Sequence, residues 1–348
     1  MVKNKLQQYF PIIHTRDEIL TKIHESEHLN TLFDQWTEEQ QNEFLDFTTG
    51  VRGVKILYDS FYKEIMNPET TPERLGDFLS LLLKREVKVI DVLPNDNNRI
   101  ANESSLLIMD IVVRLDDGSL ANIEIQKIGY AFPGQRCACY SADLLLRQYK
   151  RVRGKTKGKK FNYKDLKAVY TIVLFERSSA IFHKYPNDYI HNFEQHSDTG
   201  LAIDLLQKYI FVPLDIFKEN LQNRDIETRL DAWLAFFSLD DPDVILSIIN
   251  KFPDFKDLYA HVYDMCLNIE RVMEMFSKEL QELDRNTVQY MIDEMQEQID
   301  RQNAQLEAMQ QSQAELLDKK RHIEEVLTEK ERQYQAALRR IAELEKNS

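Results

Sequence analysis

The chain has 348 residues, of which 43% are hydrophobic and 10% aromatic, and this is enough apolar material for a substantial core. No apolar run approaches the roughly 18 to 20 residues that span a bilayer, and no secretory signal pattern opens the sequence. The formal net charge of -13 excludes a constitutively basic, histone-like binder of nucleic acid. We therefore expect a folded cytoplasmic protein without a membrane partner.

The first 84 residues are predicted to be helical. Thr15 and Thr37 each precede acids at the start of a helical pattern, as capping residues do. A break and a restart at Thr71, with Pro72 in the first helical position, indicate a further helix. Residues 1–52 are predicted to form an N-terminal helical segment.

The hydrophobic pattern then changes to that of strands. We predict three strands, a helix and a fourth strand, in the order Val87–Leu93, Ser105–Leu115, Leu120–Gln126, 134–152 and Ala168–Phe175. This order suits a mixed sheet covered by helices, so the predicted fold class is α/β, with an α+β mixed sheet in residues 53–199.

Residues 200–284 are predicted to be helical, and residues 285–348 to form a long coiled coil. No glycine follows Gly200 and no proline follows Pro253, so the usual helix breakers are absent from the last third. Positions spaced alternately three and four residues apart, from Ile292 to Leu344, are apolar or alanine in about three-quarters of cases. This spacing is a heptad repeat.

This apolar seam predicts a homo-oligomer. A single helix has no reason to keep the stripe for roughly 80 Å, at 1.5 Å per residue, and the simplest partner is a second copy. Polar residues that lower stability and can fix register interrupt the seam at Gln302, Gln313, Lys320 and Lys330.

The run from Arg147 to Lys160 contains eight basic residues and no acid. Such a run is either a solvated segment or a surface matched by anions such as phosphates. The three cysteines, Cys137, Cys139 and Cys266, fit neither a zinc ribbon nor a disulfide framework and indicate free thiols in a reducing compartment.

The sequence LDDGSL predicts a hairpin with a three-residue loop in which Gly118 takes the left-handed conformation. Leu115 then faces Ser119, and Asp110 lies opposite Glu124. In this register one face is apolar, with Met109, Ile111, Val113, Ala121, Ile123 and Ile125, which supports this register over a shifted one.

The other face of the hairpin carries Asp110, Asn122, Glu124 and Gln126, mixed with apolar residues. Two carboxylates about 5 Å apart repel each other unless a positive charge lies nearby. That charge is either a divalent cation such as Mg²⁺, which takes oxygen ligands, or a Lys or Arg at a solvated sheet edge. The spacing alone leaves both interpretations open.

Three blocks carry a resemblance to a known family: MDIVVRLDDGSLANIEIQ, GQRCACYSADLLLRQY and FNYKDLKAVYTIVLF. Together they resemble the PD-(D/E)XK nuclease family transposases, also called the recombination-promoting nuclease family, over about residues 57–175. The resemblance implies a restriction-endonuclease-like core and a metal-dependent DNA endonuclease.

The resemblance also implies roles for particular residues. Asp110 and Glu124 would bind Mg²⁺ or another divalent cation, and Gln126 would replace the usual lysine and position water. Glu73, with Asp77 one turn on, is the candidate for a further metal ligand from the first core helix. DNA-binding residues are expected on the helix after the hairpin and just beyond it, at Arg136, Tyr140, Arg147, Lys150, Arg151 and Arg153. Helical spacing puts Tyr140 on one stripe with Arg136, Arg147 and Arg151. The other interpretation of Tyr140 is ordinary packing against the sheet.

A second hypothesis belongs to a different class. In it, the nuclease-like domain binds nucleic acid or a partner without cutting. A neutral amide at residue 126 orients water by hydrogen bonds and does not neutralise charge on phosphorus as a lysine can, but glutamine is usual at this position in the resembled family and does not by itself imply an inactive enzyme. The coiled coil would then be its functional element.

Overall fold

The structure is a computed structural model that describes residues 4–93, 111–127, 133–155, 161–222 and 224–346. The chain divides into two compact units, Met1–Tyr290 and Met291–Ser348. The boundaries predicted at residues 53 and 200 fall inside the first unit, where one hydrophobic cluster contains Leu6, Ile123 and Phe276.

Six helices precede the sheet: α1 (Lys5–Tyr9), α2 (Arg16–Glu25), α3 (Glu27–Asp34), α4 (Glu38–Thr48), α5 (Asp59–Ile65) and α6 (Pro72–Leu83). Thr15 and Thr37 are N-caps of capping boxes, in which the threonine oxygen accepts from the backbone three residues on. Helix α6 begins at Pro72 as predicted, but the Thr71 hydroxyl donates to the carbonyl of Asn67, 3.1 Å away, instead of capping the helix.

The sheet has six strands: β1 (Val89–Val92), β2 (Ile111–Leu115), β3 (Leu120–Gln126), β4 (Val169–Phe175), β5 (His191–Phe193) and β6 (Gln207–Pro213). Their spatial order is β1-β2-β3-β4-β6-β5. The β1–β2, β2–β3 and β5–β6 pairs are antiparallel, whereas β3, β4 and β6 run parallel. Helix α7 (Pro133–Lys155) connects β3 to β4, as parallel neighbours require. The predicted mixed sheet is confirmed.

The expectation that the chain is helical from residue 200 was wrong for the first stretch, which forms β6. Its apolar run, from Tyr209 to Val212, is too short to separate strand from helix by periodicity. Seven residues of β6 pair with β4, from Gln207 opposite Val169 to Pro213 opposite Phe175, and this partner decides the conformation. The short strand β5 on the edge of the sheet was not predicted either.

Five helices follow: α8 (Leu214–Leu221), α9 (Arg229–Ser238), α10 (Pro242–Lys251), α11 (Phe255–Cys266) and α12 (Ile269–Lys346). Among the described residues, no helix combines the length and apolar character that crossing a bilayer requires. Helices before and after the sheet in sequence pack in one cluster on the same face as Ile111, Val113, Ala121 and Ile123. The other face of β3 and β4 packs against α7, through Cys137, Tyr140 and Leu144.

Candidate active site

The β2–β3 hairpin has the predicted register. Ile111 pairs with Ile123 and Val113 with Ala121, and the Leu115 amide donates to the Ser119 carbonyl at 2.9 Å. Gly118 has φ +85°, the left-handed conformation that the three-residue loop needs. Asp110, the predicted partner of Glu124, lies outside the described residues.

Three polar side chains at alternate positions of strand β3 lie on the face that α7 covers. Asn122 is fully buried, and Glu124 and Gln126 are each 4% exposed. Alternation along the strand sends their neighbours Ala121 and Ile123 into the main hydrophobic cluster on the opposite face. Burial of polar side chains costs free energy unless their atoms form hydrogen bonds. Apolar packing therefore does not explain why this row is polar.

Glu124 lies between a neighbouring amide and the start of α7. The Asn122 Nδ2 donates to Glu124 Oε1 at 3.0 Å. Burial, followed by the negative charge of Glu124, raises the pKa of the Cys137 thiol to about 12, whereas the charge of Arg136 lowers that pKa. The Glu124 carboxylate thus has the Asn122 amide on one side and lies close enough to the Cys137 thiol for charge interaction, and Cys137 also interacts with the charge of Arg136.

The amide of Gln126 is the second notable group. Among the residues that the structure describes, neither its oxygen nor its nitrogen has a hydrogen-bond partner, and the Asn122 oxygen lacks one as well. A buried polar group without a partner costs about 1–3 kcal/mol. Such groups persist at sites where a ligand or water supplies the missing bond.

The donor set beside α7 suits a hard cation. Glu124 offers a carboxylate, and Asn122 and Gln126 offer amide oxygens, which are the ligand types that Mg²⁺ prefers. Within the described ranges, no three His, Cys, Asp or Glu side chains group together as a metal site. The carboxylate predicted to complete the pair, Asp110, is outside those ranges.

Two predicted DNA-binding residues in the first turns of α7, Arg136 and Tyr140, contact each other. The Arg136 Nε donates to the Tyr140 hydroxyl at 2.7 Å, and its guanidinium carbon lies 5.4 Å from the centre of that ring. Tyr140 itself is fully buried against Val112, Leu120 and Leu144. A side chain in this position packs the sheet and orients Arg136, and it offers no surface to DNA.

Further along α7, the basic residues become accessible. The Arg147 Nε lies 2.6 Å from the Asp143 Oδ2 in an ion pair, and the Arg147 side chain is 17% exposed. Lys150 and Arg153 are exposed, Arg151 is half-buried, and Arg153 donates to the Tyr149 hydroxyl at 2.8 Å. The rest of the predicted basic run, residues 156–160, is outside the described part of the chain.

Glu73 does not lie with Glu124. Helix α6 packs Leu75, Phe78 and Leu79 into the main cluster, on the face of the sheet opposite α7, and Glu73 is exposed. This layer arrangement does not favour Glu73 as a ligand beside Glu124, because the apolar stripe of α6 fixes which face of the sheet the helix covers.

The alternative acid, Asp77, is engaged elsewhere. It accepts from Arg229 Nε at 2.8 Å and from Trp233 Nε1 at 2.6 Å, so its carboxylate joins α6 to α9. A carboxylate that already has two donors from one helix has a structural role in the helical layer.

Lys127, the residue after the predicted site, was not identified from the sequence. Its buried ammonium pairs with Glu279 of α12 and lies 4.9 Å from the Tyr58 ring centre. Glu279 also accepts from the Asp59 amide at 2.9 Å. The charged partner is far away in the sequence, so no local pattern could indicate this pair.

A mixed sheet with a buried glutamate and glutamine facing a crossover helix defines a restriction-endonuclease-like α/β protein. A family model described as PD-(D/E)XK nuclease family transposase matches residues 56–294, more than half of the chain, and the chain belongs to this family. The resemblance and the predicted fold class are thereby confirmed. No curated protein and no solved structure matches the chain.

The first prediction concerns the three free thiols. Burial raises the pKa of Cys266 to about 12, as it does for Cys137, whereas Cys139 is exposed. At pH 7.5 we expect iodoacetamide to modify Cys139 alone in the folded protein and all three after unfolding, as read by peptide mass spectrometry. Rapid labelling of Cys137 in the folded protein would contradict the covering of Glu124 by α7.

The second prediction concerns the buried pair after β3. Glu279→Ala removes the carboxylate partner of a buried ammonium and should lower the free energy of unfolding by about 3–5 kcal/mol. The matched control is Glu64→Ala, which removes the partly exposed 2.9 Å pair between Glu64 of α5 and Arg271 of α12, and should cost no more than about 1 kcal/mol. Equal effects in urea unfolding would show that the Lys127 pair is solvated.

Proposed function

We propose that this protein is a divalent-metal-dependent DNA endonuclease that hydrolyses phosphodiester bonds. Membership of the family supports a nuclease-like function. The observation that carries the finer proposal is the buried carboxylate of Glu124 in a row with the Asn122 oxygen and the Gln126 amide, neither of which has a hydrogen-bond partner among the described residues. Such a polar row inside a packed layer is expected where a ligand completes the bonding.

Nucleases of this superfamily generally use divalent metal ions, and we propose Mg²⁺ with Glu124 and Asp110 as ligands. A bound cation of this type polarises a phosphodiester and lowers the pKa of coordinated water. The Gln126 amide has both a donor and an acceptor, so it orients a water by hydrogen bonds while adding no charge. Arg136, held by the Tyr140 hydroxyl, adds positive charge beside Cys137, the thiol that also interacts with the charge of Glu124.

The proposed substrate is DNA, and its backbone is expected to contact α7. Lys150, Arg151 and Arg153 follow one another along the last turns of the helix, where their charges also interact favourably with the helix dipole. Contacts of this kind position a duplex without reading its sequence. They supply a local positive surface on a chain of net charge -13. The free cysteines support a reducing, cytoplasmic location.

The alternative is a protein of the same fold that binds nucleic acid or a partner without cutting. The neutral Gln126 at the usual lysine position is the observation that favours it. Incubation of the purified protein with plasmid in Mg²⁺ and in EDTA separates the two functions. Metal-dependent nicking or linearisation supports the endonuclease, whereas retained binding with no cleavage in any divalent metal supports the alternative.

The third prediction tests the site itself. Glu124→Gln keeps the size of the side chain and removes its charge, and Asp110→Ala removes the other proposed ligand. We expect each change to lower plasmid cleavage by more than about 100-fold, since even outer-shell partners of a metal contribute about 10- to 100-fold. Circular dichroism and thermal melting check that both variants remain folded.

Glu73→Gln is the matched control for these variants. It removes one carboxylate of the same type from the exposed surface of α6, on the opposite layer of the sheet. We expect cleavage to stay within about twofold of the unchanged protein, because surface substitutions away from a site have small effects. Full activity of both Glu124→Gln and Asp110→Ala would remove the proposed site.

We also propose that the protein forms a homo-oligomer through the heptad seam of α12. The large apolar side chains of the seam between Ile292 and Tyr334 are about half to two-thirds exposed in the single chain, including those of Ile299, Leu306 and Leu316. Exposed apolar stripes of this length mark association surfaces. A second copy covers the stripe with an identical stripe.

The fourth prediction follows from this seam. A chain ended after Tyr290 keeps the whole first compact unit and loses the seam. We expect light scattering to give an oligomer for the full chain and a monomer for the shortened chain. An unchanged number of copies per assembly after truncation would mean that residues 1–290 carry the association.

A further inference from the structure

The charges that flank the seam indicate how two copies of α12 meet. Lys319 directly precedes the seam residue Lys320, and Glu324 directly follows the seam residue Ile323. When two such helices run parallel and in register, these two flanking positions face each other across the interface. Lys319 of each copy then meets Glu324 of the other, which gives two attractive pairs. In an antiparallel pair, the position of Lys319 faces the equivalent flank of the second helix, and the position of Glu324 faces the other equivalent flank. Lys319 then does not meet Glu324.

The polar seam residues favour the same arrangement. In a parallel pair, Gln302 meets Gln302 and Gln313 meets Gln313 of the second copy, and an amide can both donate to and accept from an identical amide. In most other registers these amides face Leu, Ile or Met and remain buried without a partner, which costs free energy.

One antiparallel register also matches the glutamines, because it places Gln302 opposite Gln313. In that register the seam residues from Ile292 to Ile323 face one another. Leu327 and Tyr334, which are 61% and 64% exposed in the single chain, then extend past Ile292 of the second copy and stay uncovered by its seam. The parallel arrangement pairs each of these two residues with the same residue of the second copy, within the seam.

The seam lysines limit the number of helices. Lys320 and Lys330 occupy seam positions, and their side chains are long enough to carry the ammonium groups out to water between two helices. A third helix would close that route and bury the charges. Lys330 also lies next to Glu331 of the second copy in a parallel pair.

We propose that residues 292–346 of two copies form a parallel, in-register, two-stranded coiled coil. The proposal rests on the proposed self-association and adds its orientation, its register and its number of copies. Because the two chains then enter the coiled coil at the same end, the arrangement joins two copies of the candidate site at that end. This organisation suits an enzyme that acts on both strands of one duplex.

Disulfide trapping in the full-length chain tests the orientation. Leu316→Cys is placed on the seam and Gln311→Cys on the opposite side of the same helix, both in a Cys139→Ser background that removes the exposed native thiol. After mild oxidation with oxidised glutathione, we expect Leu316→Cys to migrate at twice the monomer mass on non-reducing gels. Gln311→Cys should remain at the monomer mass.

Mixed samples give the outcomes that overturn the proposal. Cross-linking of an Ile299→Cys chain to a Leu316→Cys chain, with neither chain cross-linked to itself, would establish the antiparallel register. A dimer by light scattering without any self-cross-link at residue 316 would also refute parallel pairing. A monomeric full-length chain would instead refute self-association.

Charge exchange gives an independent readout. A Lys319→Glu chain pairs with itself through two Glu–Glu contacts, and a Glu324→Lys chain through two Lys–Lys contacts. A mixed dimer of the two variants restores two attractive pairs. With differently tagged chains mixed at low salt, we expect mixed dimers above their statistical share, and a decrease of that excess in high salt. A statistical mixture at low salt would rule out the pairing of Lys319 with Glu324.

Discussion

The alternation of side chains along β3 is the constraint on which the rest of the structure depends. Ala121 and Ile123 enter the main cluster, so Asn122, Glu124 and Gln126 are forced to the opposite face. A shift by one residue would move the charge of Glu124 into the apolar cluster and turn Ala121 and Ile123 toward α7. The apolar cluster therefore holds the polar row in place, and the stability of the fold and the position of the site have the same cause.

Helix α7 turns this row into an enclosed site. Its Cys137, Tyr140 and Leu144 cover the polar face of β3, and Cys137 interacts both with the charge of Glu124 and with that of Arg136 on the same helix. Lys150 and Arg153 in its last turns are exposed, whereas Arg136 and Arg147 are half-buried and contact Tyr140 and Asp143. A single helix thus joins the candidate reaction centre to a positively charged surface. On the other face, the buried pair of Lys127 and Glu279 ties the end of β3 to α12.

Much of this arrangement could be predicted from local patterns. The capping boxes at Thr15 and Thr37, the loop at Gly118 and the β2–β3 register all depend on residues close in sequence. Errors occurred where a distant partner decided the outcome. Strand β6 exists because β4 lies beside it, and Tyr140 is buried because Val112 and Leu120 lie under α7. Helical spacing placed Tyr140 on a stripe with arginines, but spacing does not reveal which side of a stripe is covered.

The sequence by itself determined the family, the mixed sheet, the hairpin register and the set of polar side chains that share one face of β3, because periodicity and turn chemistry are short-range properties. Only the tertiary structure decided that Glu73 and Glu124 belong to opposite layers, that the Gln126 amide is buried without a partner among the described residues, and that Lys127 pairs with Glu279. These outcomes depend on which helix covers which face of the sheet. That choice is made by burial of apolar surface between segments far apart in the chain.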